Sequence, residues 1–115
     1  MRVAVIGGRD FKDKDYMFFV LDKYNEKHGI SHIVSGGAKG ADSLAESYAK
    51  NRYIPYTVYP ANWRKHGKGA GFIRNSQIAN DCDALLAFPT KNSVGTYDTV
   101  DKAKKAGKKV YVIQA

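Results

Sequence analysis

The chain has a single cysteine, Cys82. No disulfide can close within it, which excludes the stapled architecture of small secreted proteins and fits a reducing compartment. No apolar run approaches the ~18–20 residues of a membrane span. The start, Met1-Arg2-Val3-Ala4-Val5-Ile6-Gly7-Gly8, is broken too soon for a signal peptide. A cytoplasmic protein with no membrane partner is the expectation. Acidic residues are also scarce: eleven Asp and Glu stand against nineteen Lys and Arg, giving a net charge of +8 and a pI near 9.6. That imbalance points to a polyanionic or phosphorylated partner without choosing between a nucleic acid and a nucleotide. A second reading is a solvated helix end, where Lys102, Lys104, Lys105, Lys108 and Lys109, with Lys91 nearby, would meet the negative pole of a helix. His28, His32 and His66 share no zinc-type spacing with one another or with Cys82, so neither a metal nor another cofactor is expected.

What remains is ordinary globular composition. At 115 residues, 43% hydrophobic and 26% charged, the sequence suits one domain spanning 1–115. Short apolar runs at 2–6, 32–34, 55–59, 83–88 and 109–113, the first of them β-branched, read as strands. Between them the pattern predicts helices over about 13–27, 42–51, 71–81 and 96–106. In the first helix Tyr16, Phe19, Val20 and Tyr24 give the apolar stripe, with Asp13 as cap and Gly29 as stop. In the second the stripe is Leu44, Ala45, Tyr48 and Ala49. Phe72, Ile78, Ala79 and Cys82 are expected inward in the third, and Phe18, Phe19, Tyr24, Tyr48 and Tyr56 are assigned to the core or an interface. A long polar loop through Trp63, His66 and Gly67-Lys68-Gly69 precedes that third helix. The fold class is α/β, a single Rossmann-like domain of about five mainly parallel strands with helices on both faces.

Right-handed crossovers put all four strand-to-helix loops on one edge, where open α/β sheets bind their ligands. Those loops are Gly7-Gly8-Arg9-Asp10, Gly36-Gly37-Ala38-Lys39-Gly40, Pro60 through Asn75, and Pro89 through Thr96. Glycines allow close backbone approach, and helix starts present amide groups to anions. The first turn is not G-x-G-x-x-G, and the second lacks the Gly-Lys-Ser/Thr ending of a P-loop. An ordinary NAD site and magnesium-dependent triphosphate hydrolysis are therefore not expected.

Together, Gly7-Gly8-Arg9-Asp10-Phe11, Ser35-Gly36-Gly37-Ala38-Lys39-Gly40-Ala41-Asp42, Pro60-x-x-Trp63-x-x-x-Gly67 and Ala70-Gly71-x-x-Arg74-Asn75 resemble the SLOG superfamily, in particular its small YspA-like branch. This group is similar to the LOG/lysine-decarboxylase-like and DNA-processing protein A Rossmannoid folds. The resemblance implies a nucleotide-derived ligand at the sheet edge, either an ADP-ribose-like compound or a nucleoside phosphate. A free-standing binding domain of this kind would sequester a signalling nucleotide, as phage counter-defence proteins do. It also implies two alternatives, N-glycosidic cleavage of a nucleoside monophosphate and single-stranded nucleic-acid binding, the latter ranked lower, and it allows a homo-oligomer. In the hydrolases the fourth loop reads Pro-Gly-Gly-x-Gly-Thr-x-x-Glu. Here Gly95-Thr96 is kept, the Gly-Gly is absent, and Asp98 stands in the glutamate's place, about 1.5 Å shorter in reach.

The candidate ligand-binding residues are Gly7, Gly8, Arg9, Asp10, Gly36, Gly37, Lys39, Gly40, Asp42, Trp63, Arg74, Asn75, Gly95 and Thr96, with Asp98 and Arg74 as the catalytic pair if the protein is an enzyme. Arg9 forks onto a phosphate or pairs with Asp10 or Asp13. Asp42 caps its helix or touches ligand. Trp63 stacks on a base or covers the core edge. Thr96 is a helix cap, a phosphate-binding hydroxyl, or both.

Overall fold

The computed structural model describes residues 1–91 and 93–114. Asn92, part of the fourth-loop expectation, and Ala115 lie outside the described residues. The strands are β1 (Arg2–Gly7), β2 (His32–Ser35), β3 (Tyr56–Val58), β4 (Ala84–Phe88) and β5 (Lys109–Val112). They form one sheet in the order β3-β2-β1-β4-β5, with every neighbouring pair parallel. The helices are α1 (Lys14–His28), α2 (Ala41–Asn51), α3 (Trp63–His66), α4 (Ala70–Asn80) and α5 (Val94–Lys105). The chain crosses from the β1 side to the β4 side only after three strands, so the reversal of strand order falls between β1 and β4.

Alternation along the central strands builds two cores. Val3, Val5, Leu86 and Phe88 face α1 and α2, where they meet Met17, Leu21 and Tyr48. Ala4, Ile6, Leu85 and Ala87 face α4 and α5, against Ile78, Ala79, Val100 and Ala103. Helices on both faces and a fully parallel sheet agree with the α/β reading. Asp13 caps α1 by accepting the Tyr16 amide at 3.1 Å, and Gly29 ends it at a φ of +75°.

Four expectations need correction. The buried stripe of α1 is Met17, Leu21 and Tyr24, while Phe19 is 59% exposed beneath the ammonium of Lys23. Both stripes have helical period, and packing against β1 and α2 selects the one carrying methionine and leucine. Tyr56 lies exposed on the edge strand β3, whereas Tyr24 and Tyr48 are core. Phe72 is 53% exposed because Ala70, Asn75, Ile78 and Ala79 turn inward, and the Lys102 ammonium sits 5.2 Å from its ring centre. The polar loop after β3 is partly helical: the Asn62 side chain accepts the Lys65 amide at 3.1 Å and starts α3, and a 3₁₀ turn (Gly67–Gly69) links it to α4. A four-residue helix has no apolar period by which to be seen.

Removing the Phe88 ring, which packs fully buried against Phe11 with centroids 5.4 Å apart, takes out a large piece of the first core. Phe88→Ala is expected to lower stability by about 3–5 kcal/mol, and Phe72→Ala by less than about 1 kcal/mol, as for a surface position. Urea unfolding of both variants checks the pair, and equal losses would contradict the assignment of Phe72 to the surface.

Candidate functional site

The carboxyl ends of β1 and β4 open a crevice at the reversal of strand order, and Gly8 closes its floor. Its amide donates to the Phe88 carbonyl at 3.1 Å, and its carbonyl accepts from the Phe11 amide at 3.2 Å and the Ala41 amide at 3.1 Å. A Cβ on Gly7 would overlap the Phe88 carbonyl and stand 2.6 Å from the Ala41 methyl. Gly40, at a φ of +74°, brings the start of α2 so close that a side chain there would strike the carbonyls of Gly8 and Arg9. Close approach of backbone is what these glycines supply.

Asp42, in the first turn of α2, is buried. It does not cap its own helix, whose N-cap is Gly40 and has no side-chain hydrogen bond. Its Oδ2 reaches back to accept the Gly36 amide at 3.1 Å and the Ala38 amide at 3.4 Å, folding the second glycine loop over the helix start. Burial pushes its pKa up to about 6, against the pull of the Ala38 amide, the Arg74 charge and the Gly36 amide.

Arg74 comes from α4 and is half-buried. Its Nη1 donates to the Gly36 carbonyl at 2.8 Å and its Nε to Asn75 Oδ1 at 2.9 Å. Burial pushes its pKa down, partly offset by the charge of Asp42. Among the described residues Arg74 makes no ion pair, and no acceptor meets its Nη2. Asn75 continues the chain, its Nδ2 donating to the Gly95 carbonyl at 3.2 Å and to Asp98 Oδ2 at 3.1 Å. The same Asp98 oxygen accepts from Lys102 Nζ at 2.6 Å.

The start of α5 forms the opposite wall. Ser93 is its N-cap, three residues earlier than the expected Thr96, and the Ser93 hydroxyl accepts the Thr90 amide at 2.7 Å rather than capping. The first amides of a helix lack intrahelical partners and carry partial positive charge. Thr90 also donates its hydroxyl to Asp10, and this bond holds the Asp10 carboxyl below its usual range.

These elements enclose a cavity of about 300 Å³. Of the residues expected at a site, Gly7, Gly8, Arg9, Asp42, Arg74, Asn75, Gly95 and Thr96 line it. Gly36, Gly37, Lys39 and Trp63 line an adjoining recess of about 510 Å³ that shares Arg9, Ala38 and Arg74 with the first. Gly40 lies behind the wall, Asp10 is turned to Thr90, and Asp98 is turned to Asn75 and Lys102. Arg9 forms no ion pair with Asp10 or Asp13. Sequence reasoning missed Ser93, Val94 and Thr99; a serine just ahead of a helix was the one available signal. Among the described residues no three His, Cys, Asp or Glu side chains converge as metal ligands, and no helix is long and apolar enough to cross a membrane.

A family model described as YspA, cpYpsA-related SLOG family matches residues 1–66. The Gene 61 protein of Mycobacterium phage D29 is 37% identical over 114 residues, covering 92% of this chain and 90% of that protein. Two solved structures share the fold. DNA processing protein A from Streptococcus pneumoniae superposes with a TM-score of 0.76 at 21% identity, over 99% of this chain and 50% of its own. DNA processing protein A from Helicobacter pylori, whose single-stranded DNA binding mode that structure describes, superposes with a TM-score of 0.70 at 24% identity, over 97% of this chain and 64% of its own. The chain thus spans about half to two-thirds of the length of these neighbours.

Raised from the ordinary aspartate value near 3.9 to about 6, Asp42 holds its proton more tightly folded than unfolded. Its contribution to stability is full below about pH 4 and is lost as pH rises through 6, up to about 3 kcal/mol in total. Comparing urea unfolding of wild type and Asp42→Asn from pH 4 to 7 should show the free-energy difference swinging toward the variant as pH rises. Parallel curves would mean that Asp42 titrates as an ordinary carboxylate.

Proposed function

The chain belongs to the YspA, cpYpsA-related SLOG family, and from that premise we propose that it binds a nucleotide-derived small molecule, an ADP-ribose-like compound or a nucleoside phosphate, at the carboxyl edge of its sheet. The observation that carries this reading is the convergence, on one cavity, of Arg9, Arg74 and the start of α5, with no competing ion pair on either arginine among the described residues. A phosphate there accepts from Arg74 Nη2 and from the α5 amides, a charge-assisted arrangement at a helix start. Arg9 closes over it from the exposed side. Asn75 keeps Arg74 in place, and Asp42 holds the glycine loop that forms the rim. Gly95 and Thr96 bring backbone and a hydroxyl close to the same point. At about 300 Å³ the cavity is at the small end of ligand pockets, which suits a single nucleoside phosphate.

In the cell such a protein acts by holding a signalling nucleotide away from its receptor. Its likeness to a phage protein along nearly that protein's whole length supports a counter-defence role. The proposed compartment is the cytoplasm, where a lone buried thiol such as Cys82 stays reduced.

Cleavage of the N-glycosidic bond is the rival reading, and it depends on Asp98. A carboxylate that stabilises the growing charge on a ribose must face the ligand. Asp98 instead accepts from Lys102 and Asn75 and stands apart from the cavity lining. Holding rather than cutting is therefore the proposed chemistry.

Adenine nucleotides and ADP-ribose should raise the melting temperature, since a ligand at 100 times its dissociation constant adds about 2.7 kcal/mol; free adenine should do little. Arg74→Ala should weaken nucleotide binding about tenfold or more in calorimetric titration, the loss of one charge-assisted contact. Asp98→Asn should leave affinity within a few-fold. Wild-type protein incubated with AMP should release no free base by chromatography, and turnover that Asp98→Asn abolishes would establish the glycosidase in its place.

A further inference from the structure

Charge along this chain is segregated in a way that the cavity does not use. No acidic residue occurs between Glu46 and Asp81, a stretch that carries Arg64, Lys65, Lys68 and Arg74. The first three sit on α3 and the turn after it, exposed, beside His66. A recess of about 710 Å³ lies between this segment and α4, with Trp63 and Ile73 among its apolar parts and Arg64, Lys65 and Gln77 among its polar ones. Trp63 is 54% exposed and Ile73 41% exposed. One edge of the indole is fixed against α4, where a Cβ on Gly71 would lie 3.6 Å from Trp63 Cη2, and much of the ring stays open. Arg74 borders this recess, the Lys39 recess and the nucleotide cavity alike, so the three form one trough.

A trough with a nucleotide-sized deep end and an aromatic, acid-free outer end fits a ligand that continues past one nucleotide. We propose that the Trp63–Lys68 segment is a second subsite, which takes the following nucleotides of a short single-stranded oligonucleotide whose terminal nucleotide fills the cavity. The reading rests on the proposed nucleotide site. Its parts divide the work as single-strand binding requires: a π-face accepts a base without regard to sequence, and neighbouring cations follow the phosphodiester backbone. Trp63 supplies the face, and Arg64 and Lys65 the cations. A duplex, with its bases stacked inward, offers nothing to the indole.

Trp63 is the protein's single tryptophan, so its fluorescence reports the subsite directly. The experiment titrates the full chain with AMP, ADP-ribose and 5′-phosphorylated adenine oligonucleotides of two, four and twelve nucleotides, single-stranded and as duplexes, reading calorimetric affinity and Trp63 emission. Expected are at least about a tenfold tighter binding of the tetranucleotide than of AMP, from one added stack, and quenching of Trp63 by the oligonucleotide alone. The gain should be complete by four nucleotides. The Arg64→Ala/Lys65→Ala double variant should lose the part of it that the phosphodiester contacts supply, while binding AMP within about twofold of wild type. With two phosphate contacts removed, the salt slope for the oligonucleotide should fall by about 1.4. Equal affinity for AMP and tetranucleotide, unchanged emission, or a double variant like wild type would overturn the second subsite and leave the nucleotide site standing. Affinity that keeps climbing to twelve nucleotides would also overturn it, in favour of a surface that coats long strands. Failure of AMP and ADP-ribose to bind, with Arg74→Ala indistinguishable from wild type, would instead remove the nucleotide site itself.

Discussion

The peptide group of Gly8 holds the site together. Its amide bonds to the end of β4, and its carbonyl accepts from the start of α2 and from Phe11 at the end of its own turn. Three segments far apart in sequence thus meet at one residue. A side chain there would run into the Thr90 side chain, whose hydroxyl donates to Asp10. A parallel sheet places all its strand-to-helix loops on one edge, but it does not say how close they come. That distance is fixed by glycine at positions 7 and 40, where backbone packs directly against backbone, and at position 8, where backbone packs against the Thr90 side chain.

Close packing of loops brings a second constraint, the desolvation of polar groups at the crevice. Asp42 is buried, yet it accepts two amides from the glycine loop, which offsets part of the cost of burying a charge. The nearby Arg74 spends Nη1 on a carbonyl and Nε on Asn75, not on the carboxylate. The guanidinium therefore keeps its charge available to an incoming anion. Had Asp42 and Arg74 formed a buried pair, a ligand phosphate would have to displace a carboxylate at a cost of several kcal/mol. Directing Asp42 onto backbone amides avoids that competition.

The strands, the order of the helices and the glycine loops were legible in the sequence because each has a local signature: short apolar runs, caps such as Asp13, stops such as Gly29. Where the signal was ambiguous, tertiary packing decided. Tyr16, Phe19 and Val20 have helical spacing, but so do Met17, Leu21 and Tyr24, and only the contact with β1 and α2 separates the two faces. Six of the eight lining residues that were expected in the cavity lie in glycine loops or first helical turns, and the other two, Arg74 and Asn75, in the second turn of α4. The partners of Asp98 were not legible: Lys102 is an i+4 neighbour that any helix would offer, but Asn75 arrives from another helix. Of the two roles the sequence offers Asp42, cap or ligand contact, the cap is the usual one for aspartate at a helix start. That its carboxylate instead folds the preceding loop depends on the positive φ at Gly37 and Gly40, a property of backbone and not of residue pattern.

The contrast between the two ends of the trough follows from how each is built. The deep end stands on α4, α5 and the central strands, and its Arg74 is held through a series of side chains: Arg74 by Asn75, Asn75 by Asp98, Asp98 by Lys102. Groups fixed in this way lose little entropy on meeting a ligand, which favours affinity through preorganisation. The outer end stands on a four-residue helix closed by Gly67, with exposed side chains that keep their rotamer freedom. Ordering those side chains offsets part of each contact's gain, so the outer end adds to affinity only when the deep end is already filled and the two ends share one ligand. Linking weak outer contacts to an anchored terminus raises their effective concentration. On the proposed reading, binding strength resides with Arg74 and the start of α5, and discrimination between one nucleotide and several resides with Trp63.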